Sequence, residues 1–451
     1  MHGPESASSF WARRFRIDDQ VHARRIAANT LLLYLQTVVY YFAELISTRL
    51  VLASLGVDGF ALFTAVILVA TTLTFLNAVL SSAAQRFLSF AQGRADPGAA
   101  AESFAAALGI AVLVSLSIVA LGETVGLWYV MRRLSVPDGM RSVAVFAYQF
   151  GVARMVLLTM RIPFAARVSA SERMGFFAQA SILDAGLAVG AAAALSAIPA
   201  FRIEWYSVFR LASGLLMLLA YVWRCRTRHP DTVLSVRFRT AVFRHQGRFF
   251  LLTTLQAFGD GLKTSGVALL VNAFAGPVST AAWKLGAVGG EMIATGASGF
   301  GRAYFPRMVK LWAADDRAGF VAFIRHVCWI SLSIALVLAL PLLAFTDQAV
   351  CFWVNGTMPG GTVPFVRCFA VCSIIGALIA PVRAAILAVG RIAAYQIGQM
   401  ALMIAGFLVA AAILALGGPP WSSVMAVALA QAFNFVYHII CLKSVMRFKA
   451  L

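Results

Sequence analysis

The chain has 451 residues, of which 61% are hydrophobic and only 12% charged, against about 25% charged in an ordinary soluble domain. That composition excludes a soluble globule. The formal net charge of +19 does not point to nucleic acid either, because the basic residues alternate with apolar runs instead of gathering on one polar face.

A run of about 20 apolar residues crosses the hydrocarbon core of a bilayer. Such runs follow one another here at 31–53, 60–82, 103–121, 142–162, 174–198, 204–223, 248–272, 278–300, 323–345, 362–385, 392–416 and 421–442. The first continues from Arg24 and Arg25 to about Ala53, too long for a cleavable signal. The expected organisation is a basic cytoplasmic segment 1–30, a first six-helix bundle 31–223, a basic cytoplasmic linker 224–247, and a second six-helix bundle 248–451 with a short cytoplasmic tail. Most Lys and Arg fall in alternate connections, and the opposite ones hold only Arg132, Arg133, Arg141 and Arg202. That bias predicts both termini in the cytoplasm. The Arg132–Arg133 pair is its one local exception.

The cysteines (Cys225, Cys328, Cys351, Cys368, Cys372 and Cys441) have neither disulfide nor zinc spacing, and no histidine sits with an acidic residue at metal-ligand spacing. No metal site is expected.

The two halves repeat. Gln36 and Gln256, Gly56 and Gly276, and Asp96 and Asp316 share one separation, and Pro163/Pro381, Arg173/Arg391 and Phe177/Tyr395 share a nearly equal one. Trp128 and Trp353 are counterparts at a slightly larger separation. An even number of spans per half makes both halves enter the membrane from the same side, so a pseudo-twofold axis along the membrane normal relates them. The predicted fold class is therefore an all-α integral membrane protein: about twelve transmembrane helices in two parallel pseudo-twofold six-helix bundles around a central cavity.

Charges inside spans are costly and mark paths or sites. The basic ones are Arg49, Arg154, Arg210, Lys263, Lys284 and Arg367, and the carboxylates are Glu44, Asp184, Asp260 and Glu291. At 1.5 Å per residue, Lys284 and Arg210 lie roughly 9 Å below the outer surface. Gln36, Tyr40 and Glu44 recur at helical spacing on the first span, and Gln256, Asp260 and Lys263 on the seventh. Each set forms a polar stripe on one helical face. Bland readings stand beside this one: Asp260 and Lys263 as an i,i+3 pair, Lys284 and Glu291 paired with neighbours, and Arg49 or Arg367 reaching to the interface.

The segments ARRIAANTLLLYL, VLASLGVDGFALF, QRFLSFAQGRAD with its echo FPRMVKLWAADD, and PVRAAILAVGR resemble polysaccharide transporters of the O-antigen flippase type. These belong to the multidrug/oligosaccharidyl-lipid/polysaccharide exporter superfamily. The resemblance runs from about residue 24 to the C-terminus and implies a flippase of the bacterial plasma (inner) membrane. Its cargo would be a polyprenyl-pyrophosphate-linked oligosaccharide, moved by alternating access. The two extra helices usual in lipid II flippases are not found.

The chemistry agrees with that implication. A pyrophosphate cannot cross hydrocarbon bare, and arginine forks and lysine ammoniums pair with phosphate oxygens. The six basic residues are the expected substrate contacts, with Gln36, Tyr40 and Gln256 on the cavity stripe. Glu44, Asp184, Asp260 and Glu291 are candidates for H+ or Na+ coupling, and no other cofactor is expected. Membrane lipids and other polysaccharide assembly proteins are the expected partners, and nucleic acid is not. The rival reading is a cation-coupled drug or metabolite exporter of the same superfamily, which calls for carboxylates that attract organic cations. An enzyme is disfavoured: the outer connections are short, and no nucleotide-binding GxxxxGK[ST] pattern occurs.

Overall fold

In lipid, backbone polar groups are satisfied only within helices or closed barrels, and this chain takes the first solution. The computed structural model describes residues 7–93, 97–134, 136, 139–170, 174–228, 239–298, 304–305, 307–308, 311–312, 315–355, 358–389 and 393–448, with most side chains from residue 35 onward. Among these residues there is no strand. The N-terminal half comprises α1 (Ala7–Thr71), α2 (Thr74–Gly93), α3 (Pro97–Leu121), α4 (Leu127–Arg132), α5 (Arg141–Ala170), α6 (Met174–Ala194) and α7 (Arg202–Arg228). The C-terminal half comprises α8 (Thr240–Gly261), α9 (Val267–Ser298), α10 (Arg317–Ala344), α11 (Thr346–Val354), α12 (Thr362–Val389), α13 (Ala393–Ala415) and α14 (Ser422–Phe448). Two π-helical turns, Gly122–Gly126 and Leu262–Gly266, join α3 to α4 and α8 to α9.

Among the described residues, 10 stretches are long and apolar enough to cross a membrane. Two of them, Leu35–Thr71 and Ala257–Ser298, are broken at glycine and contain two spans each. Gly56 has φ 70°, ψ 177° and Gly276 has φ 79°, ψ −179°, a region essentially reserved for glycine. No atom lies within 4 Å of a Cβ built at either position, so backbone conformation and not space requires the glycine. The chain folds back at the second break. Asn272 Nδ2 donates to Thr280 Oγ1 at 3.0 Å, whereas eight residues of unbroken helix would separate them by about 12 Å. Counting each broken stretch twice gives the twelve crossings expected.

The spans outrun their expected boundaries. The second continues through α2 to Gly93, and the third runs from Pro97 through a π turn to Arg132. Hydropathy marks only the part in hydrocarbon, while the helices continue into the interface. Their internal prolines, Pro163, Pro341 and Pro381, leave them continuous, as neighbouring helices in membranes permit.

We call the side on which α1 begins and α14 ends proximal, and the side of Gly56 and Gly276 distal. Near the distal side an apolar core joins the halves: Val51, Leu52, Phe60 and Ala61 pack with Ala281, Leu285, Val350, Val354 and Val366. Trp353 adds a hydrogen bond across it, Nε1 donating to the Leu45 carbonyl at 3.0 Å. On the other flank α2 and α3 meet α8, where Phe75 stands edge-on to Phe258 with ring centroids 5.9 Å apart. Toward the proximal end of that flank, Gln246 donates to the Ser103 carbonyl at 3.4 Å. Two seams thus connect the halves, α1 against α9 and α2 against α8.

Candidate functional site

On the proximal side of the distal core, a polar cavity of about 530 Å³ opens among α1, α5, α6 and α7. Helical periodicity builds its walls. Helix α1 contributes Gln36, Tyr40 and Glu44, and α5 contributes Arg154, Leu158, Arg161 and Ala165. Phe177, Ser181 and Asp184 come from α6, and Arg210, Met217 and Tyr221 from α7.

Its charges fall into two kinds. Arg161 Nη1 lies 3.2 Å from Asp184 Oδ2, and its guanidinium sits 5.7 Å from the Tyr221 ring centroid, a cation–π distance. Glu44 Oε1 accepts from Lys284 Nζ at 3.1 Å, a pair that crosses from α1 to α9 and so links the halves. Arg154 and Arg210 differ: among the described residues neither has an ion-paired carboxylate. Arg154 Nε donates to the Arg210 carbonyl at 3.1 Å, and Arg210 Nη1 is buried without a hydrogen-bond partner. Both guanidiniums lie within electrostatic range of Glu44. One turn proximal to the Glu44–Lys284 pair, Tyr41 and Thr295 hydroxyls meet at 2.6 Å, again between α1 and α9.

The predicted site residues separate into three groups. Gln36, Tyr40, Glu44, Arg154, Asp184 and Arg210 share the cavity, with Lys284 attached through Glu44 and Glu291 on the same helix α9, exposed and within electrostatic range of Lys284. Asp260 and Lys263 belong to the C-terminal half. Asp260 Oδ2 lies 3.8 Å from Arg383 Nη1 on α12, and Lys263 Nζ donates to the Gln431 side-chain oxygen at 2.9 Å. Engaged with these separate partners, Asp260 and Lys263 do not form the i,i+3 pair; a π turn begins between them at Leu262. Arg49 is exposed on α1 outside the cavity lining. Arg367 is half-exposed, donating to Asp347 Oδ2 at 2.9 Å and to Thr346 Oγ1 at 3.2 Å. The side chain of Gln256 lies outside the described residues, as do Asp96, Arg173 and Arg391.

Two cationic residues were missed from sequence. Arg161 and Arg383 fall at the edges of the expected spans 142–162 and 362–385, where an arginine reads as part of a loop. Two turns separate Arg154 from Arg161 on α5, and that shared face was the available signal.

No family model and no curated protein matches the chain. Solved structures do. It is similar to a multidrug resistance MATE family transporter of the MOP superfamily in an inward-facing conformation, with TM-score 0.70 and 14% identity over 91% of this chain and 96% of that one. It is also similar to the lipid II flippase MurJ in an inward closed conformation, with TM-score 0.70 and 11% identity over 91% and 87%. A MOP superfamily transporter from Pyrococcus furiosus, described as having a binding pocket of reverse polarity that suggests a different function, matches with TM-score 0.67 and 12% identity over 94% and 95%. At these identities the likeness establishes the fold: an integral multi-pass membrane protein with the helical architecture of MOP superfamily transporters.

Proposed function

We propose that this protein is a transporter, not an enzyme, and that it flips polyprenyl-pyrophosphate-linked oligosaccharide across a bacterial plasma membrane by alternating access. Both termini lie in the cytoplasm in this reading, and the cargo headgroup enters the cavity of the N-terminal half from the inner leaflet. The observation that carries it is the unneutralised pair Arg154 and Arg210. Around the cavity stand the cations Arg154, Arg161, Arg210 and Lys284 and the carboxylates Glu44, Asp184 and Glu291, a net surplus of one positive charge, with Arg154 and Arg210 the two cations that no carboxylate pairs. A diphosphate diester carries two negative charges. Buried ions call for partners, and arginine forks match phosphate oxygens bidentately. Tyr40, Ser181 and Gln36 add groups that hydrogen-bond sugar hydroxyls, and the isoprenoid tail stays in lipid.

Glu44 is the coupling residue in this reading. A headgroup that takes Lys284 frees Glu44 to bind H+ or Na+, so cargo and cation act on one inter-half contact. The second reading, a cation-coupled drug or metabolite exporter, draws on the likeness to MATE transporters. The positive surplus argues against cationic drugs as its cargo.

The test uses the purified full chain in nanodiscs with farnesyl pyrophosphate as probe. The double variant Arg154→Gln, Arg210→Gln loses at least two charge-assisted contacts of ~1.5–3 kcal/mol each, so affinity falls by a factor of a hundred or more. Unchanged affinity refutes the cavity assignment. In cells, loss of the protein leaves glycan on polyprenyl pyrophosphate at the inner leaflet. Sensitivity to cationic dyes with a normal surface glycan supports the exporter instead.

A further inference from the structure

The pseudo-twofold axis exchanges the two seams between the halves, yet the seams differ in kind. The α1–α9 seam carries the Glu44–Lys284 ion pair. At the repeat separation relating Gln36 to Gln256, those two residues correspond to Thr264 and Thr64, so the matching positions of the α2–α8 seam carry no charge. It holds instead two adjoining apolar cavities of about 300 Å³ and 230 Å³ that share Thr72, Tyr129 and Leu269. Three departures from regular helix surround them: the break between α1 and α2 and both π turns. π turns recur at functional sites. Phe75 and Phe258 form the mid-membrane end.

Three features say what fills this crevice. It opens sideways to lipid, since its wall residues Leu121, Val125 and Phe258 are 47%, 60% and 45% exposed. From Phe258 to Ala273 it extends about 20 Å along the helix, somewhat more than the ~15 Å hydrocarbon depth of one leaflet. Its distal end changes from apolar to polar and then to basic. Tyr129 donates to Asn272 Oδ1 at 3.2 Å, and one turn beyond stand Arg132 and Arg133, both exposed. These are the arginines that the orientation bias left unexplained.

We propose that the α2–α8 seam binds an anionic phospholipid of the distal leaflet, one acyl chain in the crevice and the headgroup phosphate on Arg132 and Arg133. A dry apolar cavity of this kind takes an apolar guest, and juxtamembrane arginines attract anionic headgroups. The lipid touches both halves, on a flank whose ion pair between Arg239 and Glu102, 3.7 Å apart, lies at the opposite, proximal end. The proposal does not depend on the identity of the cargo.

The test photo-crosslinks the full chain in nanodiscs with phosphatidylglycerol bearing a diazirine in one acyl chain. Adducts concentrate on peptides spanning 118–129 and 258–273. The double variant Arg132→Gln, Arg133→Gln lowers them on the order of tenfold, given two headgroup contacts of ordinary strength, and a zwitterionic lipid labels these peptides no better than that variant. Leu269→Trp, which fills the crevice without altering the arginines, lowers adducts as well. Labelling spread evenly over the lipid-facing helices overturns the proposal, as does equal labelling by the zwitterionic lipid. Displacement by farnesyl pyrophosphate also overturns it, by assigning the crevice to the cargo tail.

Discussion

Replacing Glu44 by Gln should loosen the α1–α9 seam. Two unit charges 3.1 Å apart attract by roughly 5 kcal/mol at an effective dielectric of ~20. The carboxylate and ammonium are 30% and 37% exposed, however, and hydration and side-chain entropy offset most of that attraction. A value of ~1–2 kcal/mol lies between exposed pairs and fully buried ones, and corresponds to a 5- to 30-fold change in population. Spin labels at Val38 on α1 and Val321 on α10, both exposed, report the distance between the halves near the proximal side. Exposed Cys351 and half-buried Cys328 and Cys441 are replaced first. Glu44→Gln and Lys284→Gln should each shift the distance distribution toward wider separation, and the swap Glu44→Lys, Lys284→Glu should restore much of the original. A distribution unchanged in Glu44→Gln refutes the assignment of this pair as a contact that holds the halves together.

Gly276→Ala should destabilise the protein by ~1–3 kcal/mol, because positive φ with ψ near 180° strains any Cβ-bearing residue; thermal unfolding in detergent measures it, and Gly56→Ala should behave alike. Arg367→Gln removes a half-exposed pair outside the cavity, so pyrophosphate binding should stay within twofold while Arg154→Gln weakens it by about tenfold or more. Asp184→Asn frees Arg161 from its carboxylate and should tighten binding of the same probe several-fold, seen by titration.

The fold was legible because its determinants are local. Apolar length sets each crossing, and a glycine with φ near +75° sets the breaks at Gly56 and Gly276. The matched pair Gly56 and Gly276 was visible as a sequence repeat and is realised as one backbone conformation twice. Pro163 and Pro381 are likewise both buried within long helices, α5 and α12. The π turns were not legible, since an inserted residue leaves hydropathy unchanged while rotating everything after it. The Asp260–Lys263 spacing gave no pair because each residue is taken by a partner on another helix, Arg383 and Gln431, which no local pattern reports. Arg161 was lost for another reason: a helix that continues past its apolar stretch makes the boundary a poor guide to what lies inside.

What the repeat does not carry is the chemistry. At the separation relating Pro163 to Pro381, Arg154 corresponds to Cys372 and Arg161 to Ile379. Cys372 is buried, its sulfur donating to the Val424 carbonyl at 3.6 Å, so the C-terminal half packs where the N-terminal half opens a charged cavity. At the other repeat separation Tyr40 answers to Asp260, whose carboxylate serves Arg383. A scaffold built from two similar halves supplies the seams and, in the proposed reading, the axis about which the halves rock. Transport as proposed requires a difference between them to set direction and cargo, and the halves do differ in a few charged residues with neutral counterparts. The positions where the repeat is broken by charge are therefore where function should be sought, and Arg154, Glu44 and Lys284 are all of that kind.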